Sequence, residues 1–417
     1  MSELHELCYF KTRPITEDEY LVPFKSLLKA GIPSTYTLEE AERYNAGKSS
    51  GLGPGPSPVP EQVQEVESNT TPLHLICENI PVDYSKDEEK VILQLIEELF
   101  LRGAGWCLIN DKDETPGCVL NRRNLAHTSF WNVIVDAGVR AEVLLRKITD
   151  SSIEFIEDEQ EQAQEQEQEQ EQEEEVEVDN IEVEEDPSNT PSVYLKTKLA
   201  YKDDALVTEG KGDGVMMQWE DQLMAAGCKS LFKNASKDSA NVLNIGFGMG
   251  IIDTMINKKN PSKHYICEAH PDVLAKMKQD GWFEKPNVTI LAGRWQDTLP
   301  ELLSSGIFFD GIYFDTYSEH YEDMLELFDL VVGLLKSNGV FSFFNGLGAD
   351  RLVVYEVYKK IVELDLTNYG LKVNYTEINA PKTTLHQTDG EKESVWKDIK
   401  RPYWRCPIYY HPEVEFI

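Results

Sequence analysis

Residues 242–253 read VLNIGFGMGIID. A short apolar run ends in three alternating glycines, Gly246, Gly248 and Gly250, and a helical pattern follows. The stretch reads as a buried strand, a tight loop and a helix. Glycines let the backbone turn sharply and approach a ligand with no Cβ in the way. The spacing is G-x-G-x-G, whereas the dinucleotide fingerprint is G-x-G-x-x-G, so the third glycine arrives one residue early. Alone, the loop leaves its ligand open.

The texture on either side is repetitive. NVLNIGF (241–247), KHYICEA (263–269), NVTILAG (287–293), FFDGIYFD (308–315) and GVFSFFN (339–345) are strand-like, with helical stretches between them. TEINA (376–380) and RCPIYYHP (405–412) are candidate late strands. Alternating strands and helices predict a parallel sheet covered on both faces. Ligands of such sheets bind outside the carboxyl ends of the strands.

Four further segments put chemistry at those ends. Glu268 closes the strand after the glycine loop, where an acid can accept both ribose hydroxyls of an adenosine. In AGRWQDTL (292–299), Trp295 and Gln296 are placed to flank and hydrogen-bond an adenine, although Trp295 alone reads equally as core. In YFDTYSEHYED (313–323), Asp315 ends the fourth strand and suits a cationic or hydrogen-donating substrate; Tyr317 can wall the pocket, and Tyr313 reads as core. In GVMMQWEDQLM (214–224), Met216, Trp219, Glu220 and Met224 fall on one or two turns of an amphipathic helix. That segment alone reads as a Met/Trp core stripe with an exposed Glu220.

The N-terminal part differs. Thr-Pro openings at TPLHL (71–75) and TPG (115–117), and helix ends at SLLKAGIP (26–33), IEELFLRGAG (96–105) and NVIVDAGVRA (132–141), resemble degenerate ankyrin repeats. The 44 residues from Thr71 to Thr115 exceed the usual ~33, so an insertion is expected near 81–90. Such a region serves either as a protein-binding surface or as a cap. GLGPGPSPVPEQ (51–62) reads as a loop. Residues 151–190 hold no Lys or Arg and 18 of the 74 acidic residues, which predicts a disordered acidic linker.

The formal net charge is −34, which argues against broad binding to nucleic acid or anionic membranes, though a basic protein partner remains open. The seven scattered cysteines read as reduced thiols of an intracellular protein. No secretory signal and no apolar run of spanning length is expected.

Together the site motifs resemble the guanidino methyltransferases. Guanidinoacetate methyltransferase carries a Met-x-x-Trp-Glu element, a Gly-Phe-Gly-Met loop, an acidic ribose binder and a strand ending Asp-Thr-Tyr. Here these read MMQWE (216–220), IGFGMG (245–250), CEAH (267–270) and FDTY (314–317). The match covers most of 190–417. With the ankyrin-like region and acidic linker included, the whole chain resembles the fungal type IV protein arginine N5-methyltransferases.

The resemblance implies an α/β, Rossmann-like, seven-stranded S-adenosylmethionine-dependent methyltransferase domain over 191–417. An ankyrin-repeat-like helical domain (1–150) and the acidic linker (151–190) precede it. It implies methylation of the internal (δ, N5) guanidino nitrogen of arginine in a protein, with ribosomal proteins as the substrate class. No metal is needed, and the expected location is the cytoplasm and nucleus. The ankyrin-like region would supply further protein contacts. Carried over by position, Gly246, Phe247, Gly248, Met249, Gly250, Ile251, Glu268, Ala269 and His270 bind the cofactor. Tyr201, Met216, Met224, Trp295, Gln296 and Asp315 line its pocket, and Glu220 and Asp315 grip the guanidinium. The rivals are a small-molecule guanidino methyltransferase and a non-enzymatic ankyrin-type adaptor. A nicotinamide-dependent dehydrogenase is disfavoured by the glycine spacing.

Overall fold

The computed structural model describes residues 2–50, 67–150, 186–236, 239–385 and 394–417. The Pro/Gly-rich 51–62 and nearly all of the acidic 151–190 lie outside them.

Three short strands, β1 (Leu199–Lys202), β2 (Ala205–Thr208) and β3 (Gly214–Met217), form an antiparallel sheet. Seven more form the main sheet: β4 (Asn241–Ile245), β5 (Lys263–Glu268), β6 (Val288–Ala292), β7 (Phe309–Phe314), β8 (Leu335–Phe343), β9 (Leu371–Asn379) and β10 (Ile408–Phe416). Their order is β6-β5-β4-β7-β8-β10-β9. β4 to β8 run parallel, and β10 enters antiparallel between β8 and β9. The fold is α/β and Rossmann-like, as expected.

Burial explains the apolar runs. β4 and β7 are buried along nearly their whole length, as strands with both faces covered must be. The edge strand β9 is mostly open to solvent after Leu371. The chain leaves β4 toward β5 and β6, then returns on the other side through β7. A crevice therefore opens between the carboxyl ends of β4 and β7, the usual ligand position of such sheets.

One expectation changes. MMQWE is not helical: Met216 and Met217 end β3, Gln218–Glu220 is a single 3₁₀ turn, and the helix begins at Asp221. The Met/Trp spacing fits a helix, but backbone pairing of Met216 with Leu206 and Met217 with Ala205 takes these residues into the small sheet.

The N-terminal region is helical. Thr71 and Thr115 each stand at a helix N-cap with Pro at the next position. The His74 ring joins these two units. Its Nδ1 lies 2.8 Å from Thr71 Oγ1 and accepts from the Thr71 amide at 3.3 Å, and its Nε2 donates to the Glu114 carbonyl at 3.1 Å. The region is docked on the sheet domain. Helix Ser129–Asp150 lies along helix Leu352–Asn368, and Ile134 and Val135 belong to the same buried apolar cluster as Val353 and Val357. A Cβ on Gly138 would lie 2.6 Å from Val357 Cγ2, so the absence of a side chain sets this helix spacing. Trp131 Nε1 donates to Glu356 at 2.7 Å and Arg146 to Asp365 at 2.8 Å.

Candidate active site

The glycine loop after β4 forms the floor. Gly246 has φ +91°, and a Cβ there would sit 1.9 Å from the Asp315 carbonyl oxygen. Only glycine allows this approach of the β4 and β7 loops. The Asp315 amide donates to the Ile245 carbonyl (2.9 Å) and the Gly246 amide to the Cys267 carbonyl (2.8 Å). The three strand ends are thereby stitched together. A buried polar network braces the loop from below. Asn244 Nδ2 donates to the Gly246 carbonyl (2.6 Å) and to Asp253 Oδ2 (2.8 Å), and His264 Nε2 donates to Asp253 Oδ1 (3.0 Å).

Glu268 ends β5 and is 8% exposed. Its Oε2 accepts from the Phe247 amide (2.9 Å) and its Oε1 from the His270 amide (2.6 Å). Burial raises its pKa, and the backbone donors around it oppose that shift. An ionised carboxylate has about four acceptor positions, so two bonds leave capacity for a diol.

A cleft of about 700 Å³ opens above these residues. Met216, Gly246, Phe247, Gly248, Glu268, Ala269, Trp295 and Asp315, all expected at the cofactor, lie on its wall. Trp295 Nε1 is held by Glu319 at 2.8 Å, and Gln296 Nε2 lies 3.4 Å from the same oxygen.

The remaining expected residues stand behind that wall. Met224 is fully buried, in the same apolar cluster as Tyr313, and does not line the cleft. Gly250 and Ile251 begin the next helix. Tyr201 braces the loop by donating to the Gly248 carbonyl at 3.0 Å, and the Met249 amide meets Met216 Sδ at 3.2 Å. His270 caps a helix through Nδ1, which accepts from the Asp272 amide, while Nε2 lies 3.1 Å from the Tyr194 carbonyl and 3.0 Å from that of Thr197. These residues hold the loop and its surroundings rather than facing the cleft.

Residues 186–197 cross the top. Pro191, Tyr194 and Leu195 line the cleft, Arg401 pairs with Asp186, and His320 Nε2 donates to the Asn189 carbonyl at 2.9 Å. Tyr194 and Tyr317 pack with ring centroids 4.9 Å apart.

A second cavity, about 1050 Å³, shares Asp315, Thr316, Tyr317 and Glu319 with the first and adds Glu220 and Tyr403. Glu220 is 2% exposed, not the surface acid that its segment alone implies. Its Oε1 accepts from the Met217 amide at 2.9 Å and from the Tyr403 hydroxyl. Asp315 Oδ2 is buried with no partner among the described residues. Burial raises the pKa of both carboxyls, and the nearby Asp315 charge raises that of Glu220 further. Tyr403 is fixed between Trp219 and Trp396, at centroid distances of 6.3 and 4.9 Å.

Sequence reasoning missed Tyr403, Glu319, Tyr194 and the overlying strap. Glu319 sits four residues after Asp315 and had a local signal. Tyr403 lies 183 residues from Glu220 and had none.

The donor set fits S-adenosylmethionine. Glycine leaves the backbone bare at the floor, and Glu268 retains acceptor capacity. Gln296, next to the cleft-lining Trp295 though not itself on the wall, holds a buried Oε1 with no partner among the described residues, an acceptor suited to an adenine amino group. Among the described residues no cluster of His, Cys, Asp or Glu could hold a metal ion.

The family model described as Guanidinoacetate N-methyltransferase matches residues 186–365. The protein named Protein arginine N-methyltransferase 2 of Debaryomyces hansenii is 55% identical over 100% of both chains. Those of Kluyveromyces lactis and Saccharomyces cerevisiae are 51% and 46% identical, again over 100% of both chains. The chain belongs to the protein arginine N-methyltransferase 2 family. Full-length similarity to those relatives takes in residues 1–185 and the Tyr403 segment, both beyond the stretch matched by the guanidinoacetate family model. Among solved structures, the precorrin-6y C5,15-methyltransferase of Geobacter metallireducens GS-15 aligns with a TM-score of 0.35 and 19% identity, covering 51% of this chain and 93% of that one.

Proposed function

We propose that this protein transfers a methyl group from S-adenosylmethionine to the internal (δ, N5) guanidino nitrogen of an arginine in a protein, with basic ribosomal proteins as the substrate class. The observation that carries this reading is the buried Glu220–Asp315 pair where the two cavities meet. When bound, the cofactor supplies a sulfonium-activated methyl. The protein must solve the nucleophile. A guanidinium is cationic, its nitrogen lone pairs are delocalised, and its pKa is about 12.5–13.8. Glu220 and Asp315 accept its N–H groups and balance its charge. With the terminal nitrogens engaged by two carboxylates, the internal nitrogen is left for attack. Holding it in line is a proximity effect. As the new N–C bond forms, that nitrogen becomes acidic and Glu220 takes up its proton. Tyr403 orients Glu220, and Asp315 serves as the charge-balancing grip.

The Thr-Pro helix pairs before residue 150 are read as ankyrin-type units that present the catalytic domain to a protein. Family membership and the acidic surface support a protein substrate over a free guanidino acid. The test is radiolabel transfer to a candidate protein and to guanidinoacetate, followed by fragmentation of the methylated arginine. Label on the internal nitrogen of a protein arginine is expected. Methyl on a terminal nitrogen, or on guanidinoacetate alone, overturns the reading.

A further inference from the structure

The cavity holding Glu220 and Asp315 does not close at its outer end. It shares Glu319, His320 and Leu347 with a third cavity of about 1110 Å³. The far wall of that cavity belongs to the N-terminal region, through Glu142, Leu145 and Arg146 of helix Ser129–Asp150. A groove therefore runs from the catalytic carboxylates, past the start of helix Tyr321–Leu334, to the docked helix. A free guanidino acid has no use for it.

Two features define what fits. The groove is acidic at Glu142 and Glu322. Arg146 on the same wall is already engaged, donating to Asp365 at 2.8 Å with its guanidinium 4.3 Å from the Tyr321 ring centroid. The helix also presents apolar surface here. Leu145 is 58% exposed, and Ile148, one turn on, is 41% exposed. An apolar strip beside the Glu142 and Glu322 carboxylates complements an extended polypeptide carrying Lys or Arg among apolar residues. The chain's own segment 151–185 is a poor occupant, because it holds 17 acidic residues and no basic one.

We propose that this groove holds the basic polypeptide flanking the target arginine, so that helix Ser129–Asp150 helps to select the substrate. The proposal rests on the protein-arginine reading above.

The test uses the full chain with S-adenosylhomocysteine and two labelled 20-residue peptides. Each has one arginine, flanked by lysine and leucine in one and by glutamate and leucine in the other. Fluorescence anisotropy should show the lysine peptide binding at least about tenfold more tightly. The double variant Glu142→Lys/Glu322→Lys should erase that preference, and Leu145→Asp should weaken both peptides, with S-adenosylhomocysteine affinity and melting temperature unchanged in each. Equal binding of the two peptides by the unaltered protein overturns the groove, as does a preference that survives the double variant. Methylation tells the two readings apart. If guanidinoacetate is methylated and the bound lysine peptide is not, the parent reading fails and the substrate role of the groove fails with it. If the peptide arginine is methylated equally well by the double variant, only the groove fails.

Discussion

Glu220 and Asp315 are buried carboxyls brought to one junction from segments far apart in the chain. Two like charges in a desolvated site cannot both ionise cheaply, so an empty pair retains a proton that isolated carboxylates would have lost. An arriving guanidinium replaces that proton as the balancing charge. Glu220→Gln should therefore keep cofactor affinity near wild type while methyl transfer falls by at least ~10²-fold, the low end for a general base, with orientation losses added. Asp315→Asn should lose a similar factor, and the double variant should be far less than multiplicatively worse, because the two act as one clamp. Radiolabel transfer and calorimetry check this, and near-normal turnover in Glu220→Gln would leave Asp315 as the sole substrate carboxylate. The pH dependence follows from the direction of both shifts. A carboxyl whose native pKa lies above its unfolded value makes the native state bind more protons, so stability falls as pH rises above the ordinary carboxylate range. The ligand-free protein should thus lose stability as pH rises through that window, and Glu220→Gln should flatten the loss. Melting temperature against pH, with and without substrate peptide, is the measurement. Substrate should protect most at the alkaline end.

At the scale of elements, two connections set the site. The turn after β4 exists because Gly246 adopts φ +91° against the Asp315 carbonyl. Alanine there would meet backbone at 1.9 Å and add strain of about 1–3 kcal/mol before any clash. Gly246→Ala should lose cofactor binding and lower the melting temperature, and calorimetric binding at the wild-type affinity would contradict this account of the loop. The segment between β9 and β10 supplies Tyr403. Its hydroxyl donates to Glu220, which favours the ionised form and opposes the upward shift from burial. Tyr403→Phe should move the acidic limb of the kcat/KM profile to higher pH and lower kcat by about tenfold, with cofactor affinity intact. A merely structural tyrosine would change stability and leave the pH profile in place.

At the scale of the molecule, the N-terminal region is part of the folded body. Its helix Ser129–Asp150 covers helix Leu352–Asn368 through Gly138, Ile134 and Trp131, within one apolar cluster. Heating should therefore give one cooperative transition rather than two. Gly138→Leu would force a side chain into Val357, and overpacking of this kind costs about 1–3 kcal/mol. Scanning calorimetry should show that variant melting lower, or splitting into two transitions as the regions separate. Two independent transitions in the unaltered protein would mean that the interface does not couple the regions.

The sequence by itself determined the parallel sheet, the glycine loop, the acid at the end of β5 and Asp315 at the end of β7. Each is a local signal: an apolar run long enough for one buried strand, and a residue type at its carboxyl end. It also carried the Glu220 motif, yet the surrounding Met/Trp spacing reads as a helix with an exposed acid. Tertiary structure reversed that, because pairing of β3 with β2 bends the segment and buries Glu220 beneath the Tyr403 hydroxyl. Met224 went to the apolar core that also holds Tyr313, since the helix that carries it packs against the sheet. The insertion of β10 between β8 and β9, the partnership of Tyr403 with Glu220 across 183 residues, and the docking of helix Ser129–Asp150 were all tertiary decisions. Contacts at such separations leave no periodicity in the chain. They exist only after the core has closed and the loss of chain entropy has been offset by burial.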